Sequence, residues 1–342
     1  MITGSIAVVI VNYRTPEMTL ACVAALALER HAIPDLRAVV VDGGSNDGSA
    51  EALRTGLAVY AWVELLACEF NGGFGWANNQ GIMHLLQGAT PPDFIHLLNP
   101  DAVIMPGAVV ALRDQLNDHP KCGAAGSQLL NGDGSKSGSA FRFPSVAREF
   151  FRGAQMNRIG LALGLSQGII ASDTTENVDW VTGASVMMRA DALRQVGLFD
   201  TGFFLYFEEV ELMHRLTQAS WHIRFVPDSR VLHVGGAATG MADAELHERT
   251  SIPDYMFVSR RRFFTRAYGA ATARNATLAW LAGNLLLRIV KGLGMLSERP
   301  AADAERAGLR KHGVAASKAD QTPAITNWND TPGSLPAWYQ QQ

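Results

Sequence analysis

The sequence predicts an α/β fold in which a mostly parallel sheet carries helices on both faces. Short, continuous apolar runs alternate with segments of helical periodicity from residue 6 to about residue 130. Polar motifs follow directly on the ends of several apolar runs. Because ligands of such sheets bind beyond the carboxyl ends of the strands, these motifs form the candidate site.

The predicted elements follow one another in β–α order along the chain. Strands are predicted at 6–11, 38–41, 59–66 and 94–98. Helices are predicted at 16–29, 49–55, 78–86 and 107–117, the first with Thr15 as its N-cap and Pro16 at its first position. Residues 131–178 are less regular, begin with a turn-rich stretch, and are interpreted as an insertion that is mobile or faces an acceptor.

The composition limits the class of protein. The chain has 342 residues, 48% of them hydrophobic and 18% charged, which suffices for one large domain or two ordinary ones. A formal net charge of -3 gives no overall basic field for nucleic acid. The widely spaced Cys22, Cys68 and Cys122 form no CxxC pair, which favours a reducing compartment and argues against zinc. No uninterrupted apolar stretch reaches the ~18 residues typical of a membrane span, and the N-terminal run is read as a strand.

An acidic cluster follows a run of bulky apolar side chains at residues 203–211. Glu208, Glu209 and Glu211 precede apolar residues with helical spacing, so we expect them at a helix N-terminus, where the helix dipole favours negative charge. One interpretation is a surface helix with capping acids. Buried acids are costly unless they are paired, bound to a cation or used in chemistry, so an active-site helix is the other interpretation.

Three motifs at predicted strand ends carry candidate ligand-binding side chains. Asn12 and Tyr13 follow the first strand, Asp42 ends the second and precedes a glycine-containing turn, and Asn99 and Asp101 follow the fourth. Asp42 can accept hydrogen bonds from a base N–H or a ribose hydroxyl, or it can stabilise the turn. Asp101 suits a hard divalent cation that bridges a diphosphate.

Two further segments contain small or polar residues where a ligand can approach. The loop 71–75, with Gly73 and Phe74, leads into a helix that carries Asn78 and Asn79; it is only loosely like a dinucleotide-binding loop and indicates contact with a sugar or phosphate. The apolar run that starts at Trp180 contains small residues that allow close approach of a substrate: Thr182, Gly183 and Ala184.

His233 is the last candidate of the N-terminal two thirds. It follows a predicted strand and lies beyond the acidic cluster in sequence, which makes it a candidate ligand of a metal or diphosphate. The alternative is a structural histidine.

These motifs, in this order, resemble the inverting glycosyltransferases of family 2, which have the GT-A fold, and among them the rhamnosyltransferases of bacterial polysaccharide assembly. The resemblance spans roughly residues 6–236. The matching segments are 9–13, 41–49, 71–75 with 78–79, 98–102, 182–185, 196–200, 203–212 and 227–233.

The resemblance implies a nucleotide-diphospho-sugar donor, with dTDP-rhamnose suggested, and a divalent cation, Mg²⁺ or Mn²⁺. Glu209 resembles the catalytic base, with Glu208 beside it to tune or orient it, and Asp101 and His233 resemble the metal or diphosphate ligands. The metal motif reads Asn-Pro-Asp where the family has Asp-x-Asp. The implied donor-binding residues are Asn12, Tyr13, Asp42, Gly73, Phe74, Asn78, Asn79 and Asn99. The implied acceptor residues are Thr182, Gly183, Ala184 and Glu211.

The implied reaction is a single displacement at the anomeric carbon, with inversion, onto a hydroxyl of a glycan or lipid-linked acceptor in cell-surface polysaccharide synthesis. Two other functions remain open. A sugar nucleotidyltransferase would need a basic, glycine-rich phosphate loop near the first strand, where this chain has Asn12-Tyr13-Arg14-Thr15. A non-catalytic sugar-nucleotide or glycan-binding module would not need Asp101, Glu209 and His233 together.

The C-terminal third differs in composition from residues 1–250, which we assign to the GT-A domain. Residues 255–297 carry seven Arg or Lys and no acid, so residues 251–300 are predicted to be a basic amphipathic helical segment. Three interpretations of this segment are open: it packs on the domain, it forms a homodimer interface or, as we prefer, it associates with a membrane surface. The last choice predicts a cytoplasmic protein that is peripheral at the inner face of the plasma membrane. Residues 301–342 are predicted to be a poorly ordered tail.

Overall fold

The computed structural model describes residues 4–165, 168–170, 172–233, 252–292 and 302–339. The strands are β1 (Ile6–Asn12), β2 (Arg37–Asp42), β3 (Val63–Ala67), β4 (Phe94–Leu98), β5 (Ala102–Ile104), β6 (Cys122–Leu130), β7 (Ala140–Phe141), β8 (Glu176–Val178), β9 (Trp180–Val181), β10 (Ser185–Arg189) and β11 (His222–His233). The helices are α1 (Pro16–Glu29), α2 (Ser49–Leu57), α3 (Phe74–Gln87), α4 (Ala108–Asp118), α5 (Val146–Gly153), α6 (Asn157–Ala162), α7 (Ala190–Val196), α8 (Glu208–Gln218), α9 (Asp254–Tyr268), α10 (Ala270–Gly292), α11 (Ala302–His312) and α12 (Lys318–Gln321).

Within the described residues, a sheet of nine strands forms the centre of the fold. Its order is β3-β2-β1-β4-β10-β6-β11-β5, with β8 paired to β11. β10 runs antiparallel to both of its neighbours, whereas β1 to β4, β6 and β11 share one direction. The predicted α/β fold with a mostly parallel sheet is therefore confirmed.

Both faces of the sheet are covered, as predicted. Alternate residues of β1 point to opposite sides: Ala7 and Val9 join the core under α3, and Val8 and Ile10 join the core under α1 and α4. This period of two follows from the pleat of a strand that is buried on both faces.

Most predicted elements agree with the structure to within a few residues, and two differ more. β3 begins at Val63, because α2 continues to Leu57 and Tyr60 closes a turn by donating its N–H to the Leu57 carbonyl at 2.8 Å. α3 begins at Phe74 and not at residue 78, because Gly73 adopts φ +88° immediately before it and so ends the preceding loop.

The basic segment packs against the α/β domain through α9. Arg262 is 2% exposed, and its Nη2 donates to both carboxylate oxygens of Asp200 at 2.7 and 2.9 Å. Arg260 is also buried and donates to Glu149 Oε2 at 2.8 Å. Buried guanidinium groups require partners of this kind. The prediction that the basic side of this segment faces a membrane is therefore wrong for these arginines.

The residues beyond this segment also pack against the domain. Ser317 caps α12 in a capping box with Asp320, and Asp320 pairs with Arg261 at 2.8 Å. Farther on, the main chain reaches α3, where Trp76 Nε1 donates to the Ser334 carbonyl at 2.7 Å. The prediction of a poorly ordered tail is wrong for residues 302–339, because hydrogen bonds to backbone carbonyls hold a stretch whose composition is polar. Among the described residues, no helix has the length and hydropathy to cross a membrane.

Arg262→Met should lower the free energy of unfolding by about 3–5 kcal/mol, because it removes both hydrogen bonds of the guanidinium to the buried Asp200 carboxylate and leaves it with the more distant Arg266, at 3.8 Å. Urea denaturation at neutral pH measures this. Arg194→Met is the matched control, because Arg194 pairs with Asp191, whose side chain is 78% exposed, and an exposed pair contributes about 0–1 kcal/mol. Equal losses in the two variants would contradict a special role for the buried pair.

Candidate active site

The predicted polar motifs meet at one edge of the sheet. β1 lies between β2 and β4, all parallel, with Asn12 opposite Asp42, so the residues after these strands are neighbours. Asn99 donates its N–H to the Ala184 carbonyl at 2.9 Å, which brings the start of β10 to the same edge. β11 runs in the same direction as β6 and ends there with His233.

Asp42 is fixed by a buried hydrogen-bond network. Its Oδ1 accepts from Asn12 Nδ2 at 2.7 Å and from Ser45 Oγ at 2.6 Å, and its Oδ2 accepts from Ser45 N at 3.2 Å. Asn12 is 0% exposed and also accepts from Thr19 Oγ1 at 2.9 Å. Asn12 thus positions Asp42, and its predicted contact with the donor stays a prediction. Tyr13 is half-buried beneath the guanidinium of Arg14, 5.1 Å from its ring centroid.

Asn99, Asp101 and His233 form a polar cluster at this edge. His233 Nε2 lies 3.3 Å from Asp101 Oδ1 and 3.2 Å from Asn99 Nδ2. The Oδ1 of Asn99 is buried and has no hydrogen-bond partner within the described residues. A carboxylate and an amide oxygen suit Mg²⁺ or Mn²⁺, and Mg²⁺ usually takes one or two carboxylates plus substrate phosphates. The described residues contain no group of three or more His, Cys, Asp or Glu side chains placed to hold a metal.

The glycine-rich loop packs against the segment that precedes the acidic helix. Phe74 donates its N–H to the Phe204 carbonyl at 3.2 Å, and a Cβ on Gly73 would lie 2.1 Å from that same oxygen. Only glycine allows this approach. Asn78 is buried, and its side chain donates to the Phe74 carbonyl at 3.0 Å, so it bonds to the backbone of the loop.

The side-chain amide of Asn79 bonds to other groups of the protein. Its Nδ2 donates to the Phe199 carbonyl and to Thr326 Oγ1, both at 2.9 Å, and its Oδ1 accepts from Phe199 N at 2.9 Å. The amide is occupied within the protein, and the donor contact predicted for it stays a prediction.

The acidic helix α8 begins on a strained backbone. Tyr206 and Phe207 both adopt the left-handed conformation, with φ of 69° and 68°. Each such residue costs of order 1–3 kcal/mol, and clusters of them occur at active sites. Glu209 follows at the second position of the helix and is half-buried. A Cβ on Gly183 would lie 3.8 Å from the Glu209 Cβ and 3.4 Å from the Phe74 ring, so Gly183 lies beside both residues.

Glu208 and Glu209 have unusual proton affinities. Burial, and then the charge of Glu209, raise the pKa of Glu208 well above its ordinary value. Burial also raises the pKa of Glu209. The Oε2 atoms of both are buried without a hydrogen-bond partner in the described part of the chain. A half-buried carboxylate whose pKa is raised has the property of a general base.

Glu211 has a structural role. It is 3% exposed, and its two oxygens accept from Arg215 Nε at 3.0 and 2.9 Å. Burial raises the pKa of Glu211, and the charge of Arg215 opposes that rise. Because Arg215 also donates to the Leu198 carbonyl at 2.7 Å, the pair fixes the loop before α8. The predicted acceptor contact of Glu211 stays a prediction, with both carboxylate oxygens already bonded to Arg215.

A cavity of about 400 Å³ opens beside Glu209, between α5, α8, α9 and α10. The sequence interpretation did not assign it. Its lining includes Phe141, Arg142, Arg148, Glu149, Arg152, Trp180, Tyr206, Phe207, Met256, Phe257, Arg260, Trp280 and Glu305. The rings of Phe141 and Trp180 stack 4.2 Å apart. Within the described chain, the predicted acceptor residues Thr182, Gly183 and Ala184 do not line it; Thr182 Oγ1 instead accepts from Ala184 N at 3.3 Å. The mixture of arginines and aromatic residues at 141–152 is the sequence feature that could have indicated this cavity.

Glu208→Gln should stabilise the protein increasingly as pH rises. The folded state holds a proton at Glu208 more tightly than the unfolded chain does, so stability is lost as pH rises above the ordinary carboxyl pKa of about 4.3 towards the raised value. Glutamine removes this loss. We expect the melting temperature of Glu208→Gln relative to wild type to rise by ~3 °C between about pH 5 and pH 8. The exposed Glu69, changed to Gln, is the control; a difference that is constant with pH would rule out the buried-acid explanation.

The family described as "Glycosyltransferase like family 2" matches residues 4–252. The chain is 31% identical over 232 residues to N-acetylglucosaminyl-diphospho-decaprenol L-rhamnosyltransferase of Mycobacterium tuberculosis. The aligned region covers 65% of this chain and 74% of that protein. It is 28% identical over 169 residues to rhamnosyltransferase WbbL of Escherichia coli, which covers 47% of this chain and 60% of that protein.

Among solved structures, the mannosyltransferase PcManGT from Pyrobaculum calidifontis, in complex with GDP-Man and Mn2+, matches with a TM-score of 0.53 and 13% identity. The match covers 90% of this chain and 80% of that one. At this identity the similarity supports the fold, which is GT-A-like. The sheet, the site at its edge and these similarities agree, and the chain belongs to the family 2 glycosyltransferases.

Proposed function

We propose that this glycosyltransferase transfers L-rhamnose from dTDP-rhamnose to a hydroxyl of a sugar carried on a lipid diphosphate, with inversion, in cell-surface polysaccharide synthesis. Two relatives carry rhamnosyltransferase names, and one of these names includes the acceptor N-acetylglucosaminyl-diphospho-decaprenol. The observation that carries the proposal is the position of Glu209, which lines the cavity and lies beside Gly183, as does Phe74 of the glycine-rich loop.

The donor nucleotide lies at the sheet edge in this proposal. Asp42, held by Asn12 and Ser45, accepts hydrogen bonds from the nucleoside. Asn99, Asp101 and His233 would hold a divalent cation together with the donor diphosphate. When bound, this cation neutralises the charge that develops on the leaving diphosphate.

The acceptor enters through the cavity. Glu209 takes the proton from the attacking hydroxyl as that oxygen bonds to the anomeric carbon and the bond to the nucleoside diphosphate breaks. Inversion follows in this proposal from a single displacement, in which the acceptor oxygen attacks the face of the anomeric carbon opposite the leaving group. The stacked Phe141 and Trp180 offer flat apolar surface to a sugar ring.

The proposal predicts nucleotide release from dTDP-rhamnose in the presence of Mn²⁺ or Mg²⁺, stimulated by a lipid-diphosphate N-acetylglucosamine acceptor and lost on addition of EDTA. A panel of nucleotide sugars tested in the same assay identifies the donor. Proton NMR of the product, which distinguishes an α- from a β-linkage, checks inversion. A donor bound in calorimetry but never cleaved would favour the non-catalytic binding module instead.

Glu209→Gln should lower kcat for transfer about 10³-fold, because a positioned general base contributes roughly 10²–10⁴-fold. Donor affinity measured by calorimetry should stay within about twofold of wild type, a change below ~0.5 kcal/mol. Glu69→Gln is the control for an exposed glutamate. Turnover of Glu209→Gln within tenfold of wild type, a loss of only ~1.4 kcal/mol, would remove Glu209 as the base.

We also propose that the outer face of α10 lies on an anionic membrane surface, where a lipid-linked acceptor is found. Leu278, Leu285 and Ile289 are 48%, 58% and 57% exposed on this helix. Their spacing puts them on one face, together with the exposed Arg274 and Arg288. An apolar stripe flanked by cations suits an anionic lipid surface. On this proposal the protein is peripheral to the inner face of the plasma membrane.

The double variant Leu285→Glu/Ile289→Glu should lower the bound fraction at least fivefold in flotation with phosphatidylglycerol-containing vesicles. It replaces two apolar contacts with repulsive charges. Val59→Glu, on a residue that is 79% exposed next to α2, is the control and should float like wild type. Equal flotation of all three proteins, or no flotation of wild type, would contradict the proposed surface.

A further inference from the structure

Residues 324–339, which we name the C-terminal strap, run along the loop that leads into the acidic helix. They lie outside the family match, which ends at residue 252. Leu198 N donates to the Thr326 carbonyl at 2.8 Å, and Thr201 N donates to the Ala324 carbonyl at 2.9 Å. The strap thus pairs with residues 198–201 in the manner of an added strand.

On its other side the strap contacts α3, the helix that follows the glycine-rich loop. Gly333 N donates to Gln80 Oε1 at 2.7 Å, and Trp76 Nε1 donates to the Ser334 carbonyl at 2.7 Å. The strap therefore fills the space between α3 and the 198–204 loop.

Trp338 is the point at which the strap reaches the candidate site. Its Nε1 donates to the Gly72 carbonyl at 2.8 Å, and its ring meets Phe204 edge-on with centroids 4.8 Å apart. Phe204 in turn accepts from Phe74 N through its carbonyl. One side chain thus contacts both the glycine-rich loop and the segment that precedes Glu209.

The glycine-rich loop is held in part by its own Asn71, whose Oδ1 accepts from Gly73 N at 2.9 Å. Gly72 and Gly73 contribute no side chain, and fixing the backbone of each residue costs roughly 1–2 kcal/mol in conformational entropy. A contact that fixes the loop in the free protein removes this cost from the binding step and preserves the geometry of the reacting groups.

We propose that Trp338 is a positioning residue that sets the glycine-rich loop against Phe204 before the donor binds. This proposal rests on the proposed function only in assigning the loop to the donor. Loss of Trp338 then acts mainly on donor KM and on kcat, and less on global stability.

The test compares Trp338→Ala and Trp338→Phe with Trp328→Ala. Trp328 is a second half-buried tryptophan of the strap, whose carbonyl accepts from Gln87 at the far end of α3 and whose ring lies 5.7 Å from the Arg194 guanidinium. Three quantities are measured on the full chain: hydrogen exchange of the Gly73 and Phe74 amides without ligand, donor KM and kcat, and melting temperature.

We expect exchange at Gly73 and Phe74 at least tenfold faster, and donor KM at least tenfold higher, in Trp338→Ala. Trp338→Phe, which keeps an aromatic ring but loses the Nε1 donor, should lie between this variant and wild type. Trp328→Ala should lower the melting temperature by a similar amount and leave exchange and KM within about twofold of wild type, a factor worth ~0.4 kcal/mol.

Equal effects of Trp328→Ala and Trp338→Ala on exchange and KM would overturn the proposal, since the strap would then act only through stability. Unchanged exchange in Trp338→Ala would also overturn it. The exchange measurement needs no substrate, so it decides the positioning role even if wild type proves inactive with every nucleotide sugar, an outcome that refutes the proposed function alone.

Discussion

The buried ion pair between Asp200 and Arg262 joins parts of the chain that are far apart in sequence. Asp200 begins the loop that leads to the acidic helix, and Arg262 belongs to α9. Arg262 also donates to the Ala319 and Thr322 carbonyls near α12. Gly202 makes room for it, since a Cβ there would lie 2.0 Å from the guanidinium carbon. Buried charged groups are destabilising unless each has its partners. Because these partners come from both parts of the chain, the C-terminal helices and the acidic loop form one structural unit.

The candidate site is built at a cost that this unit offsets. Tyr206 and Phe207 hold unfavourable backbone conformations, and Glu208 keeps a carboxyl group in a buried position without a hydrogen-bond partner for one oxygen among the described residues. In sequence, these three residues lie between Asp200, which Arg262 contacts, and Glu211, which Arg215 contacts. Strain and burial together place Glu209 at the cavity with its pKa raised.

The fold and the position of the candidate site could be predicted from the sequence. Buried parallel strands are continuous apolar runs, and the polar residues that follow them can be recognised in the amino-acid sequence. The partners of individual polar side chains could not. Asn79 and Glu211 lie in motifs next to Phe74 and Glu209, yet their side chains bond to Phe199 and Arg215. The ordered conformation of the C-terminal strap could not be predicted either. It depends on hydrogen bonds of backbone groups, which are the same in every sequence.

The cavity beside Glu209 draws its walls from two stretches of the chain. Trp180, Tyr206 and Glu209 belong to the part that matches family 2, whereas Arg260 and Trp280 come from beyond residue 252. The residues at the sheet edge all lie in the first part. Substitutions in α9 and α10 can therefore reshape the cavity while the sheet edge is left intact, so under the proposed function the acceptor and donor specificities are free to diverge at different rates during evolution.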